Sequence, residues 1–356
     1  MARRPCIYHV LLVCHSRMAF NMKKQTQLPR WRGFNLLGMF RLTSPGYFDE
    51  LDFQYISEWG FDFVRLPLNY NYWIDNSDPF KINESKMEAV DQAVRLGEKY
   101  SIHVNISLHR APGFCVSSLL KFEPPEPFDL WRDKEAQEAF ISHWQILAKR
   151  YSGIDNANIS YNPVNEPAGV GPGEHEKVMR ATIAAIREID QKHTIILDGL
   201  EYATVPMPDL GDLARDNVAQ SCRGYIPAGV TCYRSSWHDI NNDYPEPAWP
   251  GGWTRYGLWD RRRLELHYGG WAAIAENFDM GVHCGEWGCF SYTPHTVTLS
   301  WMEDVLDILK GYNIGYALWN FEGPFGIINS NRSDVSYEDL KGRKLDRKML
   351  DLLMKY

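Results

Sequence analysis

Short apolar runs alternate with longer amphipathic segments along the chain from Arg32 onward. Near-continuous apolar runs are typical of parallel strands buried on both faces. We predict eight strands: Gly33–Leu37, Phe61–Leu66, Ile102–Leu108, Ile159–Val164, Thr194–Leu197, Gly229–Tyr233, Val282–Glu286 and Ile314–Trp319. Helical periodicity is clearest between them at Glu84–Tyr100, Lys134–Tyr151, Glu174–Gln191, Leu264–Phe278, Thr296–Lys310 and Arg343–Lys355.

Eight strand–helix units predict one α/β domain, a (β/α)8 TIM barrel. A doubly wound sheet is the alternative, but no G-x-G-x-x-G motif follows the first strand. The aromatic-rich segment Tyr233–Trp259, after the sixth predicted strand, is too long for a simple connection. We expect it to be a binding loop whose aromatic side chains, Trp237 among them, stack on a ligand. The alternative is a small hydrophobic cluster that packs the loop onto the barrel.

The composition is that of an ordinary globular protein, with 44% hydrophobic and 23% charged residues among 356. The net charge is -7 and there is no basic tract, so a nucleic-acid partner is not expected. No stretch approaches the roughly 20 apolar residues of a membrane span. Seven cysteines, none spaced as C-x-x-C, indicate free thiols and suit a reducing compartment.

Residues 1–22 differ from the rest of the chain. Two arginines stand near their start, and their apolar stretch Ile7–Val13 is interrupted by His9. A secretory signal needs a longer, uninterrupted apolar stretch. We expect a disordered extension at 1–22, a catalytic domain at 23–356 and a cytoplasmic location, with secretion or surface anchoring as the alternative. The oligomeric state has no signal in the sequence.

Polar and aromatic residues stand at the C-terminal ends of six predicted strands: Arg65, His109, Asn165 with Glu166, Tyr233, Glu286 and Trp319. Each has an ordinary structural explanation on its own, such as an ion pair, a helix cap or core packing. In a barrel, however, these strand ends converge on one mouth, where active sites are built. Their convergence predicts a catalytic site.

Two carboxylates at one cavity are what hydrolysis of a glycosidic bond requires. One must stay protonated to donate to the leaving oxygen, and the other must be ionised. Glu286 would share the mouth with Arg65 and the Tyr233 hydroxyl, which favour its charged form. Glu166 has no cation beside it in sequence. We therefore assign Glu286 as the nucleophile and Glu166 as the general acid and base.

The stretches "FDFVRLP", "LHRAPG", "NEP", "GEWG" and "ALWNFEG" occur in this order from Arg32 to the C-terminus and together resemble glycoside hydrolase family 5. The resemblance implies a retaining enzyme without a cofactor, acting on a β-linked oligo- or polysaccharide. A β-1,4-glucan is the commonest substrate class, and mannan and β-1,3-glucan are alternatives. Four roles are also implied: Arg65 supports the nucleophile, His109 binds sugar hydroxyls, Asn165 binds the 2-hydroxyl and Trp319 forms a stacking floor. A cis peptide bond is implied after Trp319.

The sixth strand departs from the family pattern. The family usually shows His, one residue and then Tyr there, whereas this sequence has Thr231-Cys232-Tyr233 at the predicted strand. The histidine contact is then missing or is supplied by His238. This departure keeps open a carbohydrate-binding barrel that has lost activity. A metal-dependent hydrolase would need ligand spacings such as His-x-His at the first strand, which are absent, so no metal site is expected.

Overall fold

The computed structural model describes residues 28–121, 123–238, 245–254 and 257–356, so the predicted extension at 1–22 lies outside the described residues. Eight parallel strands form the core: β1 Arg32–Asn35, β2 Phe63–Asn69, β3 His103–Ala111, β4 Ile159–Asn162, β5 Thr194–Asp198, β6 Val218–Gly224, β7 Val282–Trp287 and β8 Gly315–Leu318. Each strand pairs with the next, and β8 pairs with β1. This closure confirms the predicted TIM barrel.

Among the described residues, seven helices cover the outside of the barrel: α1 Glu50–Glu58, α2 Glu88–Tyr100, α3 Lys134–Tyr151, α4 Pro172–Arg187, α5 Arg261–Phe278, α6 His295–Gly311 and α7 Arg347–Lys355. A 3-10 helix, Pro208–Asp216, takes the place of a long helix between β5 and β6. Each helix buries one stripe; in α3, for example, Phe140, Trp144 and Leu147 follow helical spacing and are buried. No helix among the described residues is long and apolar enough to cross a bilayer.

The remaining elements are short and belong to the loops. The 3-10 turns are Tyr70–Tyr72 and Glu84–Met87, and the single helical turns are Val116–Leu119, Leu200–Ala203 and Ala228–Thr231. The paired strands are Ile74–Asp75 with Asp78–Ile82, Gly252–Thr254 with Gly257–Trp259, and Glu338–Leu340 with Arg343–Leu345, while Phe114–Cys115 pairs with β3.

One end of the barrel interior holds small apolar and ring side chains, with His103 stacked on Trp31 and His283 packed against Phe63, and the other end is polar. Residues from the strands and the segment before β1 form a small apolar cluster: Leu28, Trp31, Phe63, Ile196, Ala219 and Ala317. Nearer the C-terminal ends of the strands, side chains inside the barrel are hydrogen-bonded to one another: Ser107 donates to Asn162 (2.7 Å), and Asn162 donates to Asp198 (3.1 Å). Because buried polar groups need such partners, this network fixes side chains on neighbouring strands relative to one another.

The prediction for the sixth strand was wrong. β6 is Val218–Gly224, and the predicted strand Gly229–Tyr233 instead begins in the single helical turn Ala228–Thr231. The sequence of β6, VAQSCRG, contains three polar residues, yet every position is buried. Gln220 is satisfied by the backbone of Met207, and Arg223 by partners inside the barrel. An apolar run is therefore a poor criterion for a strand whose inner face lies in a polar interior.

The aromatic-rich loop after β6 is confirmed, and part of it packs outside the mouth. The Trp249 indole N–H donates to Asp304 on α6 (2.8 Å), and the guanidinium of Arg263 on α5 lies 5.9 Å from the centre of the Trp259 ring. This part of the loop therefore matches the packing alternative. Within the described residues, the cis peptide bonds are Ile226–Pro227 and Trp249–Pro250. The Trp319–Asn320 bond is trans, so the expected cis bond there was wrong.

The cysteines agree with the prediction of free thiols as far as they are described. Within the described residues, the cysteines are buried and form no disulfide bond: Cys115, Cys222, Cys232, Cys284 and Cys289. Cys6 and Cys14 lie outside the described residues.

Candidate active site

Glu286 lies near the end of β7, where a β-bulge turns its side chain into the mouth of the barrel. The register of β7 with β6 shifts between Cys284 and Glu286, so Gly285 is the inserted residue. Arg65 donates to Glu286 Oε1 at 2.6 Å, and the Tyr225 hydroxyl donates to Oε2 at 3.1 Å. Only 3% of Glu286 is exposed. Both carboxylate oxygens are thus held by donors that favour the ionised form.

Glu166 follows an irregular end of β4. The strand ends at Asn162, because Pro163 has no N–H for the ladder. Glu166 adopts a left-handed backbone conformation with a φ of 48°, and its N–H donates to Asp198 Oδ2 at 2.8 Å. The backbone is therefore irregular directly before this glutamate. Its side chain is 13% exposed and reaches the cavity.

One guanidinium contacts both glutamates. Arg223 on β6 donates from Nε to Glu166 Oε1 at 3.1 Å, and its Nη2 lies 3.3 Å from Glu286 Oε1. The same side chain forms an ion pair with Asp198 and donates to Asn165 Oδ1 at 2.8 Å. The two predicted carboxylates are therefore brought together at one site.

The surroundings of Glu166 favour the protonated form of its carboxyl group. Burial raises the pKa of Glu166 from 4.5 to about 8, and the negative charge of Glu286 adds to the rise. Arg223 and Arg65 act in the opposite direction, but they do not outweigh burial. Glu166 is therefore protonated at neutral pH, whereas Glu286 has two cationic neighbours and a hydroxyl donor. A protonated and an ionised carboxyl group facing one cavity can act as a general acid and a nucleophile.

Arg65 and Asn165 form the base of the site. Arg65 is almost fully buried and donates to Asn35, Ser107, Asn162, Asn165 and Glu286. Asn165 Oδ1 accepts from both Arg65 and Arg223, so the side-chain amide is oriented by two cations. Its Nδ2 is buried and has no hydrogen-bond partner among the described residues. A buried donor without a partner is costly, and this one is available for a substrate oxygen.

Aromatic and imidazole rings line one side of the mouth. His109 lies against Trp319 with ring centres 5.9 Å apart, and within the described part of the chain neither nitrogen of His109 has a hydrogen-bond partner. Burial and the nearby Arg65 lower the pKa of His109 well below its usual value, so its ring is neutral. Phe40, from the loop after β1, contacts both rings edge-on. Trp319 is half-buried and leaves a surface on which a sugar ring could stack.

Tyr225, not Tyr233, is the tyrosine that contacts the nucleophile candidate. Tyr225 directly follows β6 and bonds to Glu286, whereas Tyr233 lies eight positions further on and stacks with Arg234 at 5.1 Å. The predicted role of Tyr233 was wrong because the strand itself was misplaced. With β6 correctly placed, the family's His-x-Tyr corresponds to Arg223-Gly224-Tyr225, so only the histidine is replaced.

Trp237 and His238 lie further from the glutamates along the same loop. The Trp237 ring contacts Phe290 (4.8 Å) and Phe325 (6.1 Å), and Phe325 in turn contacts Tyr225 (5.9 Å). Trp237 therefore belongs to an aromatic cluster behind Tyr225 and is half-buried there. His238 is exposed. Arg223 contacts both glutamates, and the role suggested for His238 stays a prediction.

Two charged residues of the site were missed from the sequence, Asp198 and Arg223. Asp198 ends β5, one residue beyond the predicted strand, in "TIILDG". Placing Arg223 needed β6, whose alternation of Ala219, Ser221 and Arg223 on one face is the available signal.

A family model described as cellulase, glycosyl hydrolase family 5, matches residues 22–323. The chain belongs to glycosyl hydrolase family 5. It is therefore a glycosidase, and the predicted family and enzyme class are confirmed.

Related proteins and a solved structure match most of the chain. Endoglucanase C of Acetivibrio thermocellus is 25% identical over 334 residues, which cover 86% of this chain and 95% of that protein. Cellodextrinase A of Ruminococcus flavefaciens is 26% identical over 313 residues, covering 83% and 86%. A crystal structure described as a glycoside hydrolase has a TM-score of 0.86 and 36% identity, covering 92% of this chain and 99% of that one. The similarity to these proteins thus extends over most of the barrel.

Proposed function

We propose that this protein hydrolyses β-1,4-linked glucan or its oligosaccharides by a retaining double displacement. Glu286 acts as the nucleophile and Glu166 as the general acid and then the base. One observation carries the proposal: Arg223 contacts both carboxyl groups, and burial keeps the pKa of Glu166 at about 8 while Glu286 is held by Arg65. The protein therefore holds one acid and one ionised carboxylate against the same cavity.

In the first step, an oxygen of Glu286 bonds to the anomeric carbon while the glycosidic C–O bond breaks. The proton of Glu166 passes to the leaving oxygen. Arg65 and Tyr225 hold the two oxygens of Glu286 at 2.6 and 3.1 Å, so the carboxylate is oriented before the substrate arrives. The product of this step is a glycosyl ester on Glu286.

In the second step, water attacks the anomeric carbon and the ester C–O bond breaks. Glu166, now ionised, accepts the proton of the water, and the Glu286 carboxylate is released. Two inversions at the same carbon give net retention of configuration. Asn165 Nδ2, buried and without a partner among the residues that the structure describes, is the donor we assign to the sugar 2-hydroxyl.

The glucan assignment rests on the relatives and on the aromatic side of the mouth. Two of the relatives are named an endoglucanase and a cellodextrinase. The mouth presents the flat face of an aromatic ring, on which an equatorially substituted pyranose can stack. The rings on this side are those of Trp319, His109 and Phe40. Mannan and β-1,3-glucan are the alternatives, because the core residues described here do not distinguish these sugars.

Exchange of each glutamate for its amide tests the roles. Glu286→Gln and Glu166→Gln should each lower kcat/KM on cello-oligosaccharides by at least about 1,000-fold, since each removes a group that reacts. Glu303→Gln on the surface of α6 is the matched control and should leave activity unchanged. Activity within tenfold of wild type in either catalytic variant would contradict the assignment.

A substrate panel and the product anomer test the reaction. Wild-type protein should cleave β-1,4-glucan faster than β-1,4-mannan and β-1,3-glucan, and proton NMR should show the β-anomer first. A 2-deoxy-2-fluoro cellobioside with a dinitrophenyl leaving group should label Glu286, detected by peptide mass spectrometry. An α-anomer as the first product, or a label on another residue, would overturn the mechanism. Binding without cleavage of any substrate would favour the inactive barrel.

A further inference from the structure

Arg223 occupies a position that no simple packing role explains. Its side chain is 1% exposed, at the end of β6, in the place where the family usually has histidine. Its guanidinium contacts Glu166 Oε1 at 3.1 Å, Glu286 Oε1 at 3.3 Å and the carboxylate of Asp198. A permanent cation is thus shared between the two groups whose charge changes during the reaction.

We propose that Arg223 is a positioning residue that stabilises the negative charge of Glu286 in the free enzyme and of Glu166 in the glycosyl-enzyme. The proposal rests on the function proposed above. Histidine at the same place would carry its charge only when protonated, whereas arginine is charged throughout the working pH range.

The net charge of the buried site supports this role. In the free enzyme, the cations Arg65 and Arg223 face the anions Asp198 and Glu286, and Glu166 carries its proton. When Glu286 becomes an ester it loses its charge, and Glu166 gains one by releasing its proton to the leaving group. The cluster is therefore neutral in both states. An unpaired charge in a buried site is costly. Both carboxyl groups contact the Arg223 guanidinium, so the negative charge stays paired with a cation whichever of the two carries it.

The geometry holds the guanidinium in place for both states. Nη1 donates to Ser221 Oγ at 3.0 Å and to the backbone oxygen of Cys222 at 3.3 Å. Asp198 binds the same guanidinium and also accepts the backbone N–H of Glu166. A Cβ at Gly285 would lie 2.8 Å from Arg223 Nη1, so the bulge residue makes room for the cation. Arg223 thus does not need to move as the charge shifts.

The titratable and charged groups around the two glutamates come from several strands. Glu166 is influenced by Glu286 on β7, Arg223 on β6, Asp198 on β5 and Arg65 on β2, and it in turn influences Tyr202 after β5 and Cys232 after β6. Tyr225 and Arg65 also face Glu286, and His109 faces both arginines. Arg223 is the cation in direct contact with Glu166, so its removal should change the protonation of Glu166 most.

Arg223→Gln tests the proposal, with 2,4-dinitrophenyl β-cellobioside as the substrate. Its leaving group needs no acid, so formation of the ester should continue while its hydrolysis, which needs ionised Glu166, slows. Without the cation the pKa of Glu166 rises, so the acidic limb in the pH profile of ester hydrolysis should move to higher pH by about one unit. At pH values below the shifted limb, a burst of dinitrophenolate should be followed by a steady-state rate about tenfold lower than that of wild type. Azide, which attacks without a base, should restore turnover.

Two further variants separate charge from shape. Arg223→Lys keeps the cation and should keep both pH limbs within about 0.3 unit of wild type, even where kcat falls. Asp198→Asn leaves Arg223 without its anion, so the alkaline limb of kcat/KM on cellotetraose should move to lower pH, the opposite direction to Arg223→Gln. Arg180→His, a surface arginine paired with Asp212, is the control and should move neither limb. If Arg223→Gln does not fold, the direction of the Asp198→Asn shift decides.

The proposal is overturned if Arg223→Gln keeps both limbs and shows no burst, or if Asp198→Asn shifts the alkaline limb upward. It is also overturned if azide fails to rescue a slow Arg223→Gln. These outcomes differ from failure of the proposed function, in which the wild-type protein itself would not cleave the cellobioside or would not be labelled at Glu286.

Discussion

Tyr225 illustrates, at the scale of single residues, how the nucleophile is oriented. Its hydroxyl donates to one oxygen of Glu286 while Arg65 donates to the other. Its ring contacts Phe325 at 5.9 Å, so the hydroxyl is fixed by packing as well as by its hydrogen bond. The carboxylate can therefore present the same oxygen to each substrate molecule.

We expect Tyr225→Phe to lower kcat/KM on cello-oligosaccharides by about 10- to 100-fold, because a hydrogen bond to a charged group contributes about 1.5–3 kcal/mol. Folding should be unaffected, since the ring and its contact with Phe325 remain. Tyr233→Phe is the matched control, because Tyr233 does not contact Glu286. A larger loss in Tyr233→Phe than in Tyr225→Phe would refute the placement of the tyrosine.

Most site residues could be predicted because they stand directly at strand ends that the apolar pattern locates. Arg65, His109, Glu286 and Trp319 all lie in or next to strands predicted within a few residues. Arg223 and Asp198 were missed, because their roles depend on contacts between β5, β6 and β7, and the alternation along β6 locates Arg223 without showing what it contacts. The structure places a cation on Glu166 that its neighbours in sequence do not supply.

At the scale of elements, β7 shows how one inserted residue positions a catalytic group. The bulge at Gly285 changes which face of the strand Glu286 occupies. Gly285 also has no room for a side chain, since a Cβ there would lie 2.6 Å from Ser221 Oγ and 2.8 Å from Arg223 Nη1. The glycine is therefore required by the side chains of the neighbouring strand.

Gly285→Ala should consequently displace Arg223 and Ser221. We expect a loss of stability of about 1–3 kcal/mol, typical of overpacking in a core, and a fall in kcat/KM of at least about tenfold. Gly270→Ala is the matched control: this exposed position in α5 has nothing within 4 Å of the added Cβ, and alanine should stabilise the helix by up to about 1 kcal/mol. Urea denaturation and kinetics on both variants check this. An active, fully stable Gly285→Ala would disprove the close approach.

The elements themselves were predictable to different degrees. Lys134–Tyr151 was predicted with its observed bounds because its stripe of large apolar residues is long and regular. The sixth strand was missed because three of its seven residues are polar: Gln220 pairs with the backbone of Met207, and Ser221 and Arg223 have partners inside the closed barrel. The helix Glu50–Glu58 was missed because it is short and its stripe holds only three buried residues.

At the scale of the whole molecule, the raised pKa of Glu166 reduces the free energy of unfolding at neutral pH. The pKa of Glu166 is about 8 in the folded protein and near 4.5 when the chain is unfolded. Between these pH values the folded state holds one more proton on this residue than the unfolded state. Stability therefore falls by up to about 1.4 kcal/mol for each pH unit as the pH rises through this window.

Glu166→Gln removes this dependence while retaining the size of the side chain. We expect the variant to be more stable than wild type by about 1–3 kcal/mol at pH 7.5, and the difference to shrink towards pH 5, where Glu166 is protonated in the folded state. Other carboxylates, such as Asp190 with its lowered pKa, are present in both proteins and cancel in the comparison. Urea denaturation at both pH values measures the difference, with Glu303→Gln as a control that should track wild type. A gap of equal size at pH 5 and pH 7.5 would mean that Glu166 titrates normally, and the acid role would then need another explanation than burial.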